Sequence, residues 1–141
     1  MSRVISKPLS RNDLGLTGAH QAGMVIPKGF AHFFPKLNRN MKNPRRKIKI
    51  ICGDNEWILN FIYYNNKFFG GTRNEYRLTG MTRFFREMGL EENDRIEFNL
   101  ISLNTLDPSE YRVTIQKSNQ SNDKKRIVKS KNRVISWEIE V

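Results

Sequence analysis

Hydrophobic and polar residues alternate along much of this chain, as they do in strands that place one face on a core and one face in water. Ile96, Phe98 and Leu100 alternate with polar neighbours, and residues 111–116 do the same. The pattern predicts strands at 4–9, 47–52, 56–64, 95–101, 111–116 and 133–141. The sequence therefore predicts a mainly β domain, either a barrel or a sandwich.

Two short segments have helical spacing instead. The first lies around residues 29–37, after Pro27, and the second lies at about residues 81–88. In the second segment Phe84, Phe85 and Met88 recur at helical intervals, and Gly89 can end the helix as a C-cap. These apolar residues are better explained as core at one end of a barrel than as a ligand site.

The net charge indicates the class of partner, and the cysteine content excludes two kinds of structural site. The 141 residues include 25 Lys and Arg against 14 Asp and Glu, a formal net charge of +11, which favours a polyanionic partner. We find no apolar stretch of membrane-spanning length and no long amphipathic helix with a lysine-rich face, so nucleic acid is preferred over a membrane. The single cysteine, Cys52, excludes an internal disulfide and a Cys-based zinc cluster. We expect a cytoplasmic protein.

Residues 70–79 concentrate side chains that can read DNA bases behind a flexible glycine pair. Arg73 and Arg77 can each bind guanine O6 and N7, Glu75 can accept from the cytosine amino group, and Asn74 can bracket adenine. Arg73, Glu75 and Arg77 also alternate, so an ion-pair ladder on an exposed strand explains them equally well from composition alone. Asn74 could equally hydrogen-bond its own backbone in a turn.

Basic residues are also concentrated in two polar connectors, at residues 36–47 and 117–133. The second connector reads as a loose loop from 118 to 132, for which a solvated role is at least as good an explanation as phosphate contact. We predict that five basic residues contact DNA phosphates, a role that any cationic surface could fill. They are Lys28, Arg45, Arg46, Lys47 and Lys67.

Several motifs together resemble a known family. They are residues 9–13 (LSRND), 17–27 (TGAHQAGMVIP), 34–35 (FP), 43–44 (NP), 62–66 (IYYNN), 69–70 (FG) and 72–79 (TRNEYRLT). Over about the first 80 residues this pattern is similar to the N-terminal effector DNA-binding domain of EcoRII-type restriction endonucleases. Residues 78–98 resemble the plant B3-type DNA-binding domain, which shares its fold. The resemblance implies a seven-stranded open pseudobarrel with two short helices at the barrel ends.

The same resemblance implies two arms that grip the major groove of double-stranded DNA. The N-arm would be residues 10–28 and the C-arm residues 67–79. Base-reading positions would be Arg73, Asn74, Glu75, Arg77, His20 and Gln21, and positions that contact or support the DNA backbone would include Arg11, Lys28, Lys67, Thr72 and Tyr76. We expect the Tyr76 ring to pack on sugar and phosphate or on a thymine methyl group. Gly71 and Tyr76 stand where the EcoRII-type pattern has lysines, which leaves the target site open.

The leading hypothesis is a non-catalytic, sequence-specific DNA-binding domain that forms the N-terminal part of a larger restriction endonuclease. We expect a single monomeric domain over residues 1–141 that needs no cofactor, with Mg²⁺ required only in a catalytic domain beyond Val141. The alternatives are a small metal-dependent nuclease that uses Asp107 and Asp123, and a non-specific nucleic-acid binder. Histidine-based catalysis is disfavoured because the only other histidine besides His20 is His32, in an apolar segment.

Overall fold

The computed structural model describes residues 4–17, 22–101, 106–118 and 137–140. These residues form eight strands: β1 (Val4–Pro8), β2 (Gly23–Ile26), β3 (Arg45–Cys52), β4 (Asn55–Tyr64), β5 (Glu75–Thr79), β6 (Arg95–Leu100), β7 (Glu110–Gln116) and β8 (Glu138–Glu140). Helical elements are short: two 3₁₀ helices, η1 (Lys28–Phe33) and η2 (Asn66–Phe69), and one α-helix, α1 (Thr82–Glu87).

All eight strands belong to one curled sheet, in the order β2-β5-β4-β3-β7-β6-β1-β8. Neighbouring strands are antiparallel except for the parallel pair β3–β7. The sheet edges are β2 and β8, and Trp137, just before β8, reaches across to β2 by donating from Nε1 to the Val25 carbonyl at 2.9 Å. A side chain thus bridges the two edges, and the predicted mainly β, open pseudobarrel is confirmed, with the three-residue β8 as an added edge strand.

The alternating pattern located most strands but missed two. Strands β2 and β5 were not predicted. Residues 75–79 do alternate between polar and apolar, but β5 has only five residues and β2 only four, so neither stands out as a strand pattern. The predicted helix at 29–37 is the 3₁₀ helix η1. The predicted loop at 118–132 and the start of the last predicted strand fall outside the described residues, apart from Ser118.

Aromatic rings fill the barrel. Phe34 stacks on Phe61 with ring centroids 4.9 Å apart and lies 5.4 Å from Tyr111, whose hydroxyl donates to the Phe33 carbonyl at 2.7 Å. Phe84 of α1 is fully buried in the same core, as is expected from its helical spacing. No helix within the described ranges is long and apolar enough to cross a membrane.

Cys52 lies at the end of β3 and is buried as a free thiol. Burial raises the pKa of this thiol, since a thiolate would lose its hydration there. The residue therefore packs as a small hydrophobic side chain, which is the role expected from the sequence.

Candidate nucleic-acid interface

The C-arm begins in a compact loop between β4 and β5. Backbone N–H groups of Gly71 and Lys67 donate to the carbonyls of Asn66 (2.7 Å) and Arg73 (2.9 Å), and the Arg73 N–H donates to the Asn66 side-chain oxygen at 2.6 Å. Gly70 has φ 90°, which favours glycine, and a Cβ on Gly71 would lie only 2.7 Å from Asn66 Cγ. Because these contacts close the loop on itself, it presents its side chains from a defined backbone.

Strand pairing places the base-reading candidates on the outer face of the sheet. Tyr76 and Leu78 of β5 point into the core, so Glu75, Arg77 and Thr79 point outward. Arg77 pairs with Ile62 of β4, and Ile62 pairs with Arg45 of β3. We call the surface formed by the outward side chains of β2, β3, β4 and β5 the outer face.

Glu75 is the shared partner of two arginines. Its Oε2 accepts from Arg73 Nη2 at 3.1 Å and from Arg77 Nη1 at 3.2 Å. Partial burial alone would raise the pKa of Glu75, but the two hydrogen bonds outweigh it and hold the pKa below its ordinary value. Glu75 is therefore ionised at neutral pH and orients both guanidinium groups.

The two arginines differ in exposure. The Arg73 side chain is 44% exposed and its guanidinium carbon lies 3.8 Å from the centre of the Tyr64 ring, a cation–π contact. The Arg77 side chain is only 10% exposed, although it lies on the outer face. A solvated ladder would leave all three charged groups in water, whereas here one of the two guanidinium groups is nearly buried. We call Arg73, Glu75 and Arg77 the arginine–glutamate cluster.

The Asn74 side chain is hydrogen-bonded to strand β4. Its side-chain oxygen accepts from the Tyr63 hydroxyl at 2.6 Å, and Tyr63 is buried. The bond fixes the amide beside the arginine–glutamate cluster. Asn74 therefore anchors the beginning of β5 to β4, and only its amide nitrogen and one lone pair of the oxygen remain for a ligand.

The expected contact between the Tyr76 ring and DNA is wrong. Tyr76 is 6% exposed and stacks on Tyr63, with ring centroids 4.2 Å apart and an interplanar angle of 9°. It also stacks on Phe61 at 5.6 Å. Because Tyr76 alternates with the outward Glu75 and Arg77, it faces the core, and its role is to hold β5 in place.

Arg46 lies away from the other basic residues predicted to contact DNA phosphates. It is paired with the inward Phe61, so it points away from the outer face that Arg45 and Lys47 share. Its Nη1 donates to both Asp107 carboxylate oxygens, at 2.6 and 2.7 Å. Arg45 and Lys47 are exposed on the outer face and keep the position that phosphate contact requires.

Asp107 is occupied by this pairing. The hydrogen bond from Arg46, followed by that from the Lys36 N–H, lowers the pKa of the Asp107 carboxyl group. Asp123, the second acid of the alternative nuclease hypothesis, lies outside the described residues. Among the residues that are described, no three His, Cys, Asp or Glu side chains lie close enough together to hold a metal ion.

The N-arm is anchored at both ends by Asp13. Its carboxylate pairs with Lys7 Nζ at 2.5 Å and accepts from the Ser10 N–H at 2.9 Å, and its carbonyl accepts from the Gly23 N–H at 2.9 Å. Asp13 and Lys7 are 5% and 7% exposed. Since Gly23 begins β2, one buried residue fixes the start of the arm against its return to the sheet.

The predicted N-arm contacts are only partly described. Arg11 is exposed, with Nη2 donating to the Leu16 carbonyl at 3.4 Å. His20 and Gln21 lie in the segment 18–21, outside the described residues, and their roles stay predictions. The remaining predicted backbone contacts are exposed on the arms: Lys28, Lys67 and Thr72.

Sequence reasoning missed the residues that hold the arms. Asn65, Asn66 and Asp13 lie within the family motifs, but the motifs alone assign them no role. Lys7 reads as one polar position of an alternating strand, and nothing in the sequence shows that it is buried. The available signal was the grouping of asparagines and an aspartate at strand ends, where side chains commonly hydrogen-bond backbone groups.

Comparison with known proteins identifies the family. Residues 2–125 match the family described as "Restriction endonuclease EcoRII, N-terminal". The chain belongs to this family. It is 42% identical over 83 residues to the type II restriction enzyme EcoRII of Escherichia coli, an alignment that covers 54% of this chain and 20% of that enzyme. The EcoRII N-terminal resemblance drawn from the motifs is thus confirmed.

Two solved structures share the fold of this EcoRII N-terminal family member. The Arabidopsis FUS3-DNA complex superposes with a TM-score of 0.56 at 19% identity, covering 79% of this chain and 94% of that one. The N-terminal domain of Helicobacter pylori LlaJI.R1 superposes with a TM-score of 0.51 at 14% identity, covering 98% of both chains. At these identities the similarity establishes a common pseudobarrel fold.

Proposed function

We propose that this chain is a sequence-specific double-stranded DNA-binding domain that reads the major groove with its outer face and two arms. The arginine–glutamate cluster is the observation that carries the proposal. It combines two guanidinium groups and one carboxylate, pre-oriented on the outer face of a chain that belongs to the EcoRII N-terminal family. The B3-like neighbour, whose structure is that of a DNA complex, supports the same partner.

The spacing of the arms fits one groove. The N-arm loop enters β2 at Gly23, opposite Thr79, whereas the C-arm loop enters β5 at Glu75. Strand β5 separates these two ends by four residue steps, or about 13 Å at ~3.3 Å per residue. The major groove of B-DNA is about 12 Å wide, so the two arm ends are separated by about one groove width.

Each member of the cluster has a distinct reading role. Arg73 and Arg77 donate to guanine O6 and N7, the most common specific contact in the major groove. Both arginines bond the same oxygen of Glu75, Oε2, so Oε1 is left to accept from a cytosine amino group. Holding the guanidinium groups in place before binding reduces the conformational entropy cost of their binding to DNA.

The surrounding side chains supply binding that does not depend on sequence. Exposed Lys28, Lys67, Arg45 and Lys47 contact phosphates. Phe68 and Phe69, in the C-arm loop, are 65% and 45% exposed and offer apolar surface for thymine methyl groups or deoxyribose.

Enrichment of bound duplexes from a randomised pool, at near-physiological salt, tests the proposal. The wild-type chain should recover one short motif. The Arg73→Gln/Arg77→Gln variant should lose it, whereas the matched double variant Arg86→Gln/Arg112→Gln, with the same loss of charge elsewhere on the surface, should recover it. A featureless wild-type pool would show that the cluster is only a structural ion pair.

We further propose that this chain acts as the target-recognition domain of a larger restriction endonuclease. The chain spans a fifth of the length of the Escherichia coli EcoRII enzyme that it resembles, so cleavage would belong to a separate domain that uses Mg²⁺. The chain alone should bind its site as a monomer in sedimentation velocity and leave that duplex intact in the presence of Mg²⁺. Cleavage by the purified chain would revive the alternative of a small nuclease.

A further inference from the structure

We propose that residues 38–44, which we call the basic loop, form a third DNA-contacting segment and place Arg39 and Lys42 on the sugar–phosphate backbone beside the C-arm. This inference rests on the proposed function and extends it to a surface outside the two arms. Neither Arg39 nor Lys42 belongs to the base-reading or backbone contacts that the proposed function assigns.

The first argument is how the basic loop is attached. Asn65, which is 1% exposed and directly follows β4, accepts from the Asn43 N–H at 2.7 Å. The Asn65 amide nitrogen donates to the carbonyls of Met41 at 2.8 Å and Arg39 at 3.3 Å. All the hydrogen-bonding atoms of this side chain are thus used to join the basic loop to the point where the C-arm begins.

The basic loop is also ordered from within. The Asn40 N–H donates to the Asn38 side-chain oxygen at 3.0 Å, and the Met41 N–H donates to the Asn38 carbonyl at 3.1 Å. Asn43 has φ 49°, a left-handed conformation that asparagine tolerates. Because its backbone carbonyls are bonded to Asn65, the basic loop can offer Arg39 and Lys42, both exposed, with little further ordering on binding.

The third argument is the charge around the basic loop. Between Asp13 and Asp54 the sequence contains no acidic residue, but it contains eight lysines and arginines: Lys28, Lys36, Arg39, Lys42, Arg45, Arg46, Lys47 and Lys49. Acids from elsewhere in the fold pair with Arg46 and Lys49. No ion pair within the described residues involves Arg39 or Lys42, so their charge is available to an external anion.

The position of the basic loop indicates that the anion it binds is the DNA backbone. It borders the C-arm through Asn65, and it leads directly into Arg45, which shares the outer face with Arg77 through Ile62. A row of cations that continues the base-reading surface matches the regular row of phosphates along one DNA strand. The basic loop therefore contacts the DNA backbone that flanks the recognised bases.

This placement makes a quantitative prediction. Removing one phosphate contact should reduce the slope of log K against log salt by ~0.9, so Arg39→Gln/Lys42→Gln should reduce it by about 2. Affinity should fall by a similar factor for the specific duplex and for a scrambled one, because phosphate contacts carry no sequence information. The wild-type chain, but not the variant, should lose affinity when the duplex is shortened on one side of the site.

Fluorescence anisotropy across a salt series provides the test, with Arg86→Gln/Arg112→Gln as the matched control. The two arginines of this control are exposed, one on α1 and one on β7. Arg112 is paired with Ile51, near the end of β3 that is remote from Arg45, so the control lies away from the basic loop. A slope change no larger than that of the control would overturn the inference. If the variant changed the specificity ratio instead, the basic loop would read bases and the backbone assignment would be wrong.

Asn65→Ala tests the attachment. If Asn65 positions the basic loop, this substitution should reduce the salt slope as Arg39→Gln/Lys42→Gln does, and the triple variant should show no further reduction. Fully additive effects would show that Asn65 does not position the two cations. If Asn65→Ala fails to fold, the Arg39/Lys42 comparison still decides the main point.

A wild-type chain that shows no preference for one motif refutes the proposed function itself, a result distinct from an unchanged slope.

Discussion

Replacing Glu75 with glutamine is the sharpest perturbation of the arginine–glutamate cluster. The amide keeps the shape of the side chain but removes the charge that both arginines share through Oε2, at 3.1 and 3.2 Å. Hydrogen bonds to charged groups contribute about 1.5–3 kcal/mol and neutral ones about 0.5–1.5 kcal/mol, so each bond loses about 1 kcal/mol where solvent is excluded.

The exposure of each arginine determines how much its weakened hydrogen bond lowers the free energy of unfolding. The bond to Arg77, whose side chain is 10% exposed, should lose about 1 kcal/mol. The bond to Arg73, 44% exposed, is screened by solvent and should lose less than about 0.5 kcal/mol. The expected destabilisation is therefore about 1–1.5 kcal/mol, which lowers the melting temperature of a domain of this size by roughly 3–5 °C.

Glu75→Gln should weaken binding to the specific site but not to unrelated duplexes. Loss of the charged acceptor for cytosine, and of the fixed guanidinium groups, should cost about 1–3 kcal/mol on the specific site, or roughly 5- to 150-fold. Removing a negative charge should strengthen binding to unrelated duplexes slightly. The ratio of the two affinities should fall by more than the specific affinity does.

Anisotropy titrations on specific and scrambled duplexes, combined with thermal melts, measure both effects. Glu56→Gln is the matched control, since Glu56 is 63% exposed and lies 3.9 Å from its lysine partner. A Glu75→Gln chain that melts earlier but keeps the specificity ratio within about twofold would refute base reading by Glu75 and leave it a structural role. A chain unchanged in both measurements would contradict the hydrogen-bonded cluster itself.

Three further substitutions test the scaffold. Asp94→Asn should cost about 2–4 kcal/mol in urea unfolding at pH 7, because fully buried Asp94 accepts from Lys117 Nζ at 2.6 Å and from two backbone N–H groups. Trp137→Phe should cost about 1 kcal/mol in the same assay, through loss of the hydrogen bond to Val25 that bridges the sheet edges. Gly71→Ala should weaken specific DNA binding more than it lowers the melting temperature, because the added Cβ would displace the C-arm loop.

Each of these predictions has its own check. Burial raises the pKa of Asp94, but its hydrogen bonds outweigh this effect and lower it below the ordinary value, so its stabilisation is present above the unfolded pKa and is lost as pH falls through the folded one. The difference between wild type and Asp94→Asn should therefore shrink in acid, and a constant difference would contradict the assignment. Gly29→Ala, where a Cβ meets nothing within 4 Å, should bind DNA as wild type does. Equal stability of wild type and Trp137→Phe would contradict the bridge.

The sequence by itself determined the class of this protein and the position of the motif to which the proposal assigns base reading. Alternation at residues 95–101 and 111–116 is visible because each of these strands has one wet and one dry face. The motif at 72–79 identified the family because it is local in sequence. The net charge of +11 is a property of composition, so it too needs no structure.

Only the tertiary structure decided which side of the sheet each charged residue occupies. Arg45 and Arg46 are adjacent in sequence, yet strand parity sends one to the outer face and the other to Asp107, 61 residues away. Tyr76 follows the same parity into the core. Asn65 forms hydrogen bonds with residues of the basic loop that precede it by 22 to 26 positions in the sequence. Strand register and long-range hydrogen bonds arise from the packing of the whole sheet, and no local pattern of residues encodes them.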